Sequence, residues 1–158
     1  SGGGGGGGYG TTGSYFVPSS QGWWRPLPGP VTSPYGPRRV ICNSAGCSNN
    51  FHAGVDLAGN CGTRIRSVAA GRVVSARNAG AFGNRVIVDH GGGVQSVYGH
   101  MKTGSFRVSA GQQIAAGTYI GGVGATGVVT GCHLDIKITV NGGGVSPSTF
   151  LRGRGVNL

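Results

Sequence analysis

The feature that most constrains the fold is a series of short runs in which apolar and polar residues alternate between glycine-rich turns. These runs are TRIRSV at 63–68, GRVVSAR at 71–77, NRVIVDH at 84–90, VQSVYGH at 94–100 and HLDIKITV at 133–140. Alternation with a period of two places every second side chain on the same face of a β-strand. Glycine, 36 of the 158 residues, supplies the turns. We therefore predict an all-β fold, mainly antiparallel sheet in a partly closed barrel or sandwich, with long glycine-rich loops.

Composition divides the chain into three segments. Residues 1–13, SGGGGGGGYGTTG, are predicted to be a flexible linker, because polyglycine buries too little surface to become ordered. Residues 14–30 contain Trp23, Trp24 and four prolines, which predicts an extended arm. We favour packing of the two tryptophans on the domain over contact with a substrate or wall, because tryptophan is rarely left exposed. Residues 31–158 form the predicted folded domain.

Charge narrows the range of partners. The chain has 13 Lys and Arg against three acidic residues, a formal net charge of +10. Such a field attracts polyanions, including nucleic acid, anionic lipid and anionic cell-wall polymers. The basic residues are not interleaved with stacking aromatic residues, and no nucleic-acid-binding signature accompanies them. Charge by itself supports wall attraction and nucleic-acid binding about equally. No apolar run reaches the roughly 18 residues of a membrane span, so no membrane segment is predicted.

The four cysteines favour two disulfides and an oxidising compartment. Cys42 and Cys47 close a small loop, and Cys61 and Cys132 then pair by elimination, although spacing alone leaves the connectivity open. The alternative is a zinc site made of thiolates. It is disfavoured because the chain has no CxxC pair and because histidines supply better candidate ligands.

Histidine and aspartate recur in patterns that suit a metal site. The segment FHAGVD spaces His52 and Asp56 four residues apart, and GCHLDIKI places His133 and Asp135 on one face of a strand. Imidazole nitrogen and carboxylate oxygen both bind zinc. Because only three acidic residues exist, an aspartate beside a histidine on an otherwise apolar strand indicates a metal ligand. HAGVD alone is also explained by a turn in which the aspartate accepts from backbone amides.

The other two histidines are less informative by themselves. His100, in VYGHM, comes at the end of a predicted strand after Gly99, and fits a surface or core histidine as well as a catalytic one. His90 follows Asp89 at the exit of another strand. We interpret that pair as a locally hydrogen-bonded turn feature.

The order of these pieces resembles the M23 family of zinc metallopeptidases, the lysostaphin-like group that cuts peptides in bacterial cell walls. The resemblance covers roughly residues 31–151. It runs in unbroken order through SPYGPR, HAGVD, CGTRIRSVAAGRVV, GNRVIVDHGGG, VYGHM, ATGVVTGCHLD and VNGGGVSPSTFL. It implies a zinc-dependent endopeptidase that hydrolyses peptide cross-links or bridges of peptidoglycan.

The resemblance also implies a role for each matched residue. His52 and Asp56 correspond to the first two zinc ligands, His133 to the general base, and His100 to a catalytic histidine that orients water or stabilises the transition state. The family's third ligand is the second histidine of an HxH pair, and here that position holds Asp135. Because carboxylates bind zinc, we predict a His-Asp-Asp site with one position open for water. The second carboxylate should make that water less acidic.

The departure at Asp135 leaves other interpretations open. In one of them the metal is weakly held or absent, and the domain is a catalytically silent wall-binding module or scaffold. In another, the position has been mutated. Retention of His52, Asp56, His100 and His133 favours a working zinc site, because a decaying site is expected to lose more than one residue.

The groove and the biological setting follow from the resemblance. The substrate groove is expected between loops at residues 41–51, 78–83 and 122–131, where glycines let a peptide backbone approach. The expected partners are peptidoglycan peptides and anionic wall polymers, with neither membrane nor nucleic acid, and the domain is expected to be monomeric. It is expected to act extracellularly or on a virion. Because no secretory signal is visible, we expect a piece of a longer protein, with a phage tail slightly favoured.

Overall fold

The computed structural model describes residues 15–48, 50–127, 129 and 131–158. The predicted linker at residues 1–13 lies outside the described residues. The strands are β1 (Val31–Ser33), β2 (Gly36–Pro37), β3 (Cys42–Asn43), β4 (Gly46–Cys47), β5 (Phe51–His52), β6 (Val55–Ala58), β7 (Arg64–Arg66), β8 (Gly71–Asn78), β9 (Asn84–Gly91), β10 (Val94–Met101), β11 (Gln113–Ile114), β12 (Tyr119–Gly122), β13 (His133–Val140) and β14 (Gly143–Val145). A 3-10 turn spans Gly80–Phe82, and the helix α1 spans Pro147–Arg152.

Eight strands form one antiparallel sheet in the order β11-β8-β9-β10-β13-β6-β1, with β14 also paired to β13. One edge of β13 pairs with β10, and its other edge pairs first with β6 and then with β14. Across the described ranges, β11 and β1 do not pair with each other, so the sheet is not a closed barrel. The other strands form the ribbons β7–β12, β2–β5 and β3–β4. The predicted all-β, mainly antiparallel fold is confirmed.

The strands lie where alternation predicts them. The five alternating runs correspond to β7, β8, β9, β10 and β13. The segment at 140–151, which has no alternating run, contains β14 and the helix α1. The Ser146 hydroxyl accepts a hydrogen bond from the Thr149 amide (3.4 Å), and Pro147 occupies the first turn. Both features favour a helix start, and Leu151 buries the helix against the core.

Alternation along β6 and β13 also decides which face is core. Leu134 and Ile136 on β13 and Leu57 on β6 are fully buried in one hydrophobic cluster. The ribbon β7–β12 contributes Ile65 and Ile120 to the same cluster. The intervening side chains of β6 and β13 therefore face the other side of the sheet.

The arm at 15–30 packs on the domain. Leu27 is fully buried in the core, and Trp23 packs against the same cluster. The Trp24 amide donates to the carbonyl oxygen of Val68 (2.9 Å), and the guanidinium of Arg66 lies 4.5 Å from the centre of the Trp24 ring. The interpretation of the tryptophans as packing residues is confirmed.

Two disulfides connect the predicted pairs. Cys42–Cys47 closes the β3–β4 hairpin, and Cys61–Cys132 joins the loop after β6 to the residue preceding β13. No cysteine in the described ranges is free, so the alternative of a zinc site made of thiolates is wrong.

Among the described residues, no helix has the length and apolar character needed to span a membrane.

Candidate metal centre

Two carboxylates face each other on neighbouring strands near one edge of the sheet. Asp56 on β6 and Asp135 on β13 are direct register partners, and both are buried. They are two of only three acidic residues in the chain. Like charges directly opposite each other on neighbouring strands destabilise a sheet. A positive charge between or beside the two carboxylates would therefore stabilise the pairing.

His52 completes a compact cluster with the two aspartates. It ends β5, and its Nε2 atom lies 3.2 Å from Asp56 Oδ1 and 3.3 Å from Asp135 Oδ1. The three residues offer ligand atoms that all lie within 4.8 Å of one another. The structure thus brings together the three residues predicted to hold zinc.

The glycine of HAGVD allows this approach. A Cβ atom at Gly54 would collide with the Asp135 carboxylate and with the backbone carbonyl of Ile136. A residue without a side chain lets the connection between β5 and β6 lie directly against β13. His52 and Asp56 can therefore both reach Asp135.

All three histidines at the centre present the same ring nitrogen to the aspartates. Each Nδ1 atom is bonded to a backbone carbonyl: Pro34 for His52 (3.2 Å), Thr126 for His100 (2.7 Å) and Gly131 for His133 (2.8 Å). A carbonyl oxygen only accepts, so Nδ1 must carry the proton and donate it. In the neutral ring Nε2 then keeps its lone pair, as a ligand or a base needs.

His100 and His133 lie on either side of the cluster. His100 Nε2 is 3.6 Å from Asp135 Oδ2, and His133 Nε2 is 3.6 Å from Asp56 Oδ1. Their ring centres are 5.1 Å apart. The two predicted catalytic histidines therefore contact the same centre as the three predicted ligands.

A β-bulge directs His100 toward this centre. Asn84 pairs with Met101 and Val86 with Tyr98, so Gly99 and His100 together oppose one residue of β9. Gly99 is the register partner of Asp135, and simple alternation would turn His100 toward the core. Instead His100 has a φ of 59°, in the left-handed region that non-glycine residues seldom adopt. Such strain is often found at functional sites.

The charges of the cluster are strongly coupled. Burial favours the neutral form of Asp135, but the nearby rings of His100 and His52 and the charge of Lys137 hold its pKa well below the usual value. Burial of His52 opposes protonation, but the interactions of its ring with the carboxylates of Asp135 and Asp56 outweigh it and raise the pKa to about 9. Without a metal, the proton of His52 supplies the positive charge that the two carboxylates need.

Two cations beside the aspartates were not identified from sequence. Lys137 Nζ lies 2.8 Å from Asp135 Oδ2, and Arg38 reaches within 3.8 Å of Asp56 Oδ2. Lys137 was detectable, because it follows Asp135 by two residues on the same face of one strand. Arg38, in SPYGPR, lies outside the alternating runs, so sequence periodicity did not indicate its position.

One oxygen in the cluster has a geometry that fits a metal ligand. Asp56 Oδ1 is buried, and no donor among the described residues is aligned to give it a hydrogen bond, although His52 Nε2 lies 3.2 Å away. It is also the oxygen closest to His52 and His133. An unsatisfied buried carboxylate oxygen is costly, and a bound cation would remove that cost.

A cleft of about 510 Å³ opens over the cluster. Its lining comprises Thr32, Ser33, Arg38, Arg39, Ile41, Ser48, Asp56, His100, Val129, Gly131, Cys132 and His133. The predicted loops at 41–51 and 122–131 thus contribute walls. The loop at 78–83 does not line this cleft, and its part in the substrate groove stays a prediction. Phe82 of that loop instead lies beside Lys137, 5.0 Å from ring centre to Nζ.

Comparison with known protein families identifies the family to which this fold and site belong. A sequence profile of peptidase family M23 matches residues 50–147, more than half of the chain. The chain belongs to peptidase family M23. The resemblance based on the sequence motifs is confirmed, and the M23 match includes His52, Asp56, His100, His133 and Asp135.

Individual M23 relatives have similar sequences and folds. The chain is 36% identical over 97 residues to the DD-carboxypeptidase/endopeptidase Mpg of Neisseria meningitidis serogroup B, covering 61% of this chain and 22% of that protein. It is 34% identical over 112 residues to the murein hydrolase activator NlpD of Escherichia coli, covering 70% of this chain and 29% of NlpD. The catalytic domain of the antimicrobial peptidase lysostaphin from Staphylococcus simulans superposes with a TM-score of 0.69 at 28% identity, over 78% of this chain and 92% of that one. The chain thus spans less than a third of the length of Mpg and of NlpD.

Proposed function

We propose that this M23 domain is a zinc-dependent endopeptidase that hydrolyses peptide cross-links or bridges of bacterial peptidoglycan. The observation that carries the proposal is the buried register pair of Asp56 and Asp135 with His52 Nε2 within 3.3 Å of both. Two similar proteins, the DD-carboxypeptidase/endopeptidase Mpg and the antimicrobial peptidase lysostaphin, support the reaction class.

His52, Asp56 and Asp135 would hold the metal. One imidazole nitrogen and two carboxylate oxygens are suitable zinc ligands, and three protein ligands leave a position for water or substrate. When bound, zinc supplies Lewis-acid chemistry, which polarises a peptide carbonyl and makes water more acidic. The unsatisfied Asp56 Oδ1 supports this assignment.

His133 is proposed as the general base. Its Nδ1 proton is donated to the Gly131 carbonyl, so Nε2 is available to take a proton from the attacking water. It lines the cleft and its side chain is 18% exposed, which allows contact with substrate and solvent. The same nitrogen would then deliver the proton to the leaving amine.

His100 is proposed to stabilise the negative charge that develops on the substrate oxygen. With its Nδ1 proton donated to Thr126, His100 can donate from Nε2 only as the imidazolium cation. Its Nε2 atom lies 3.6 Å from Asp135 Oδ2, and His100 lines the cleft. A fixed cation placed where charge develops lowers the barrier of the reaction.

The second candidate is a catalytically silent wall-binding or scaffold domain. The similarity to NlpD, a murein hydrolase activator, supports it. So does Asp135, which stands where the family has the second histidine of HxH. In both cases we propose action outside the cytoplasm, on the cell surface or on a virion such as a phage tail. Two disulfides and the net charge of +10 support that setting and contact with anionic wall polymers.

Zinc content separates the two candidates. Protein dialysed against metal-free buffer should keep about one zinc per chain by elemental mass spectrometry. Asp56→Ala should lose it, while Asp135→His, which substitutes one zinc ligand for another, should retain it. The zinc-loaded protein should release new amino groups from purified peptidoglycan. A folded protein without zinc, or full zinc in Asp56→Ala, would contradict the assignment.

A further inference from the structure

Lys137 is held firmly against one oxygen of Asp135. Its Nζ atom donates to Asp135 Oδ2 at 2.8 Å, and the two side chains are only 17% and 6% exposed. The side chain of Lys137 is flanked by the ring of Phe82 (Nζ 5.0 Å from its centre) and by Gly54, where an added Cβ would contact Lys137 Cγ. These contacts restrict the movement of the ammonium group.

The two oxygens of Asp135 therefore have different surroundings. Oδ2 faces the two groups outside the proposed ligand set, Lys137 at 2.8 Å and His100 Nε2 at 3.6 Å. Oδ1 faces His52 Nε2 at 3.3 Å. A cation held by His52 and Asp56 thus finds Oδ1 available, while Oδ2 is already engaged by a positive charge.

Lys137 also changes the charge of the site. Asp56 and Asp135 together carry two negative charges, and the ammonium group of Lys137 reduces the sum by one. A ligand set with less negative charge leaves more of the metal's charge to act on water. A cation beside the ligands also repels the metal, so this arrangement lowers affinity in exchange for reactivity.

We propose that Lys137 is a positioning residue that restricts Asp135 to one-oxygen binding of the metal through Oδ1 and offsets the charge of the second carboxylate. The inference rests on the proposed metal site. It explains how this M23 domain can use aspartate at the third ligand position: Lys137 makes the carboxylate resemble a neutral ligand that offers one donor atom.

The test is Lys137→Met, a substitution that keeps an unbranched side chain, one atom shorter, and removes its charge. Zinc affinity, measured by competition with a chromophoric chelator, should increase about tenfold, because a nearby positive charge is lost. The cobalt(II)-substituted protein should absorb visible light more weakly, because Oδ2 becomes free to bind and the coordination number rises above four. Peptidoglycan hydrolysis should fall although the metal is held more tightly.

Two controls isolate the role. Lys102→Met makes the same change at the only other lysine of the chain, which is exposed, and should leave affinity and spectrum unchanged. In an Asp135→His background no second oxygen exists, so Lys137→Met should not alter the cobalt spectrum. Should Lys137→Met fail to fold, Lys137→Gln also removes the charge, and the gain in zinc affinity must still be seen.

The outcomes are distinguishable. Wild-type protein that binds neither zinc nor cobalt refutes the proposed function and this inference together. Wild-type protein that binds both, with Lys137→Met unchanged or weaker in zinc affinity, refutes the inference alone. A spectral change that persists in the Asp135→His background would assign Lys137 a role in packing instead.

Discussion

Individual histidines of this M23 domain are distinguished by what surrounds each ring. Three direct Nε2 toward the aspartates, whereas His90 donates from Nδ1 to the Ala70 carbonyl (2.8 Å) and contacts the Ser96 hydroxyl through Nε2 (2.7 Å), away from the cleft. The interpretation of His90 as a residue outside the site agrees with this position, and the family resemblance, rather than spacing, distinguished it from His100. The roles assigned within the group of three stay predictions.

His133→Ala should abolish most hydrolysis and leave zinc in place. Loss of a general base reduces rates by about 10²–10⁴-fold, and loss of an oxyanion-stabilising group, in His100→Ala, by about 10²–10³-fold. Both would be measured as kcat on a wall-derived peptide beside zinc content. His90→Ala is the matched control and should keep kcat. Loss of zinc in His133→Ala would mean that the roles of base and ligand are exchanged.

Zinc binding should depend on pH through His52. Its pKa in the metal-free protein is raised to about 9 from the ordinary value of 6.5. Because only the neutral ring binds zinc, affinity should rise with pH up to about 9 and level off above it. Near pH 7.5, calorimetry in buffers of different ionisation enthalpy should show release of about one proton per zinc. Binding without proton release would contradict the raised pKa.

The raised pKa of His52 also determines how the stability of the metal-free protein changes with pH. A raised pKa means that the folded protein binds the proton more tightly than the unfolded chain. The contribution of His52 is therefore fully present below pH 6.5 and is lost as pH rises through about 9. Metal-free protein should lose stability over this interval, whereas zinc-loaded protein should not.

At the scale of structural elements, the site depends on how β6, β10 and β13 are aligned. Asp56, Asp135 and Gly99 lie in one row across these three strands. The bulge in β10 adds His100 to that row. A slip of one residue in either pairing would turn the aspartates toward the core.

The Cys61–Cys132 disulfide should matter more to this alignment than Cys42–Cys47. The sequence separations are 71 and 5 residues, and loop-closure entropy then predicts about 4 and about 2 kcal/mol of stabilisation, respectively. Cys61→Ala/Cys132→Ala should therefore lower the free energy of unfolding by more than Cys42→Ala/Cys47→Ala does, in urea titrations. Equal losses would indicate that the longer loop stays ordered without its disulfide.

The molecule as a whole is dominated by uncompensated positive charge. Three carboxylates cannot neutralise 13 basic side chains, and two of the three are buried at the metal centre. The exposed surface is therefore expected to attract anionic polymers over distances set by the salt concentration.

Binding to purified wall should weaken steeply as salt is raised. The Debye length shrinks from about 10 Å at 0.1 M to about 3 Å at 1 M salt, which screens the surface charge. Sedimentation with wall fragments measures binding, and hydrolysis of a short neutral peptide is the control that should respond little. Wall binding that is unchanged by salt would show that contacts other than charge hold the domain on the wall.

The sequence by itself determined the strands, the core face and the candidate ligands. Alternation is a local property, since each side chain's face follows from its own position in the strand. For that reason Leu134, Ile136, His133 and Asp135 were assigned to the correct faces of β13. Motif order was enough to predict the family.

Only the tertiary structure decided which atoms meet. The bulge that redirects His100, the contact of Lys137 with Asp135, and the position of Arg38 depend on pairing between segments far apart in the chain. Helix α1 was missed because its formation depends on burying Leu151 against the core rather than on a periodic pattern over six residues. Register and packing are long-range properties, and local alternation carries no information about the partner that each strand will find.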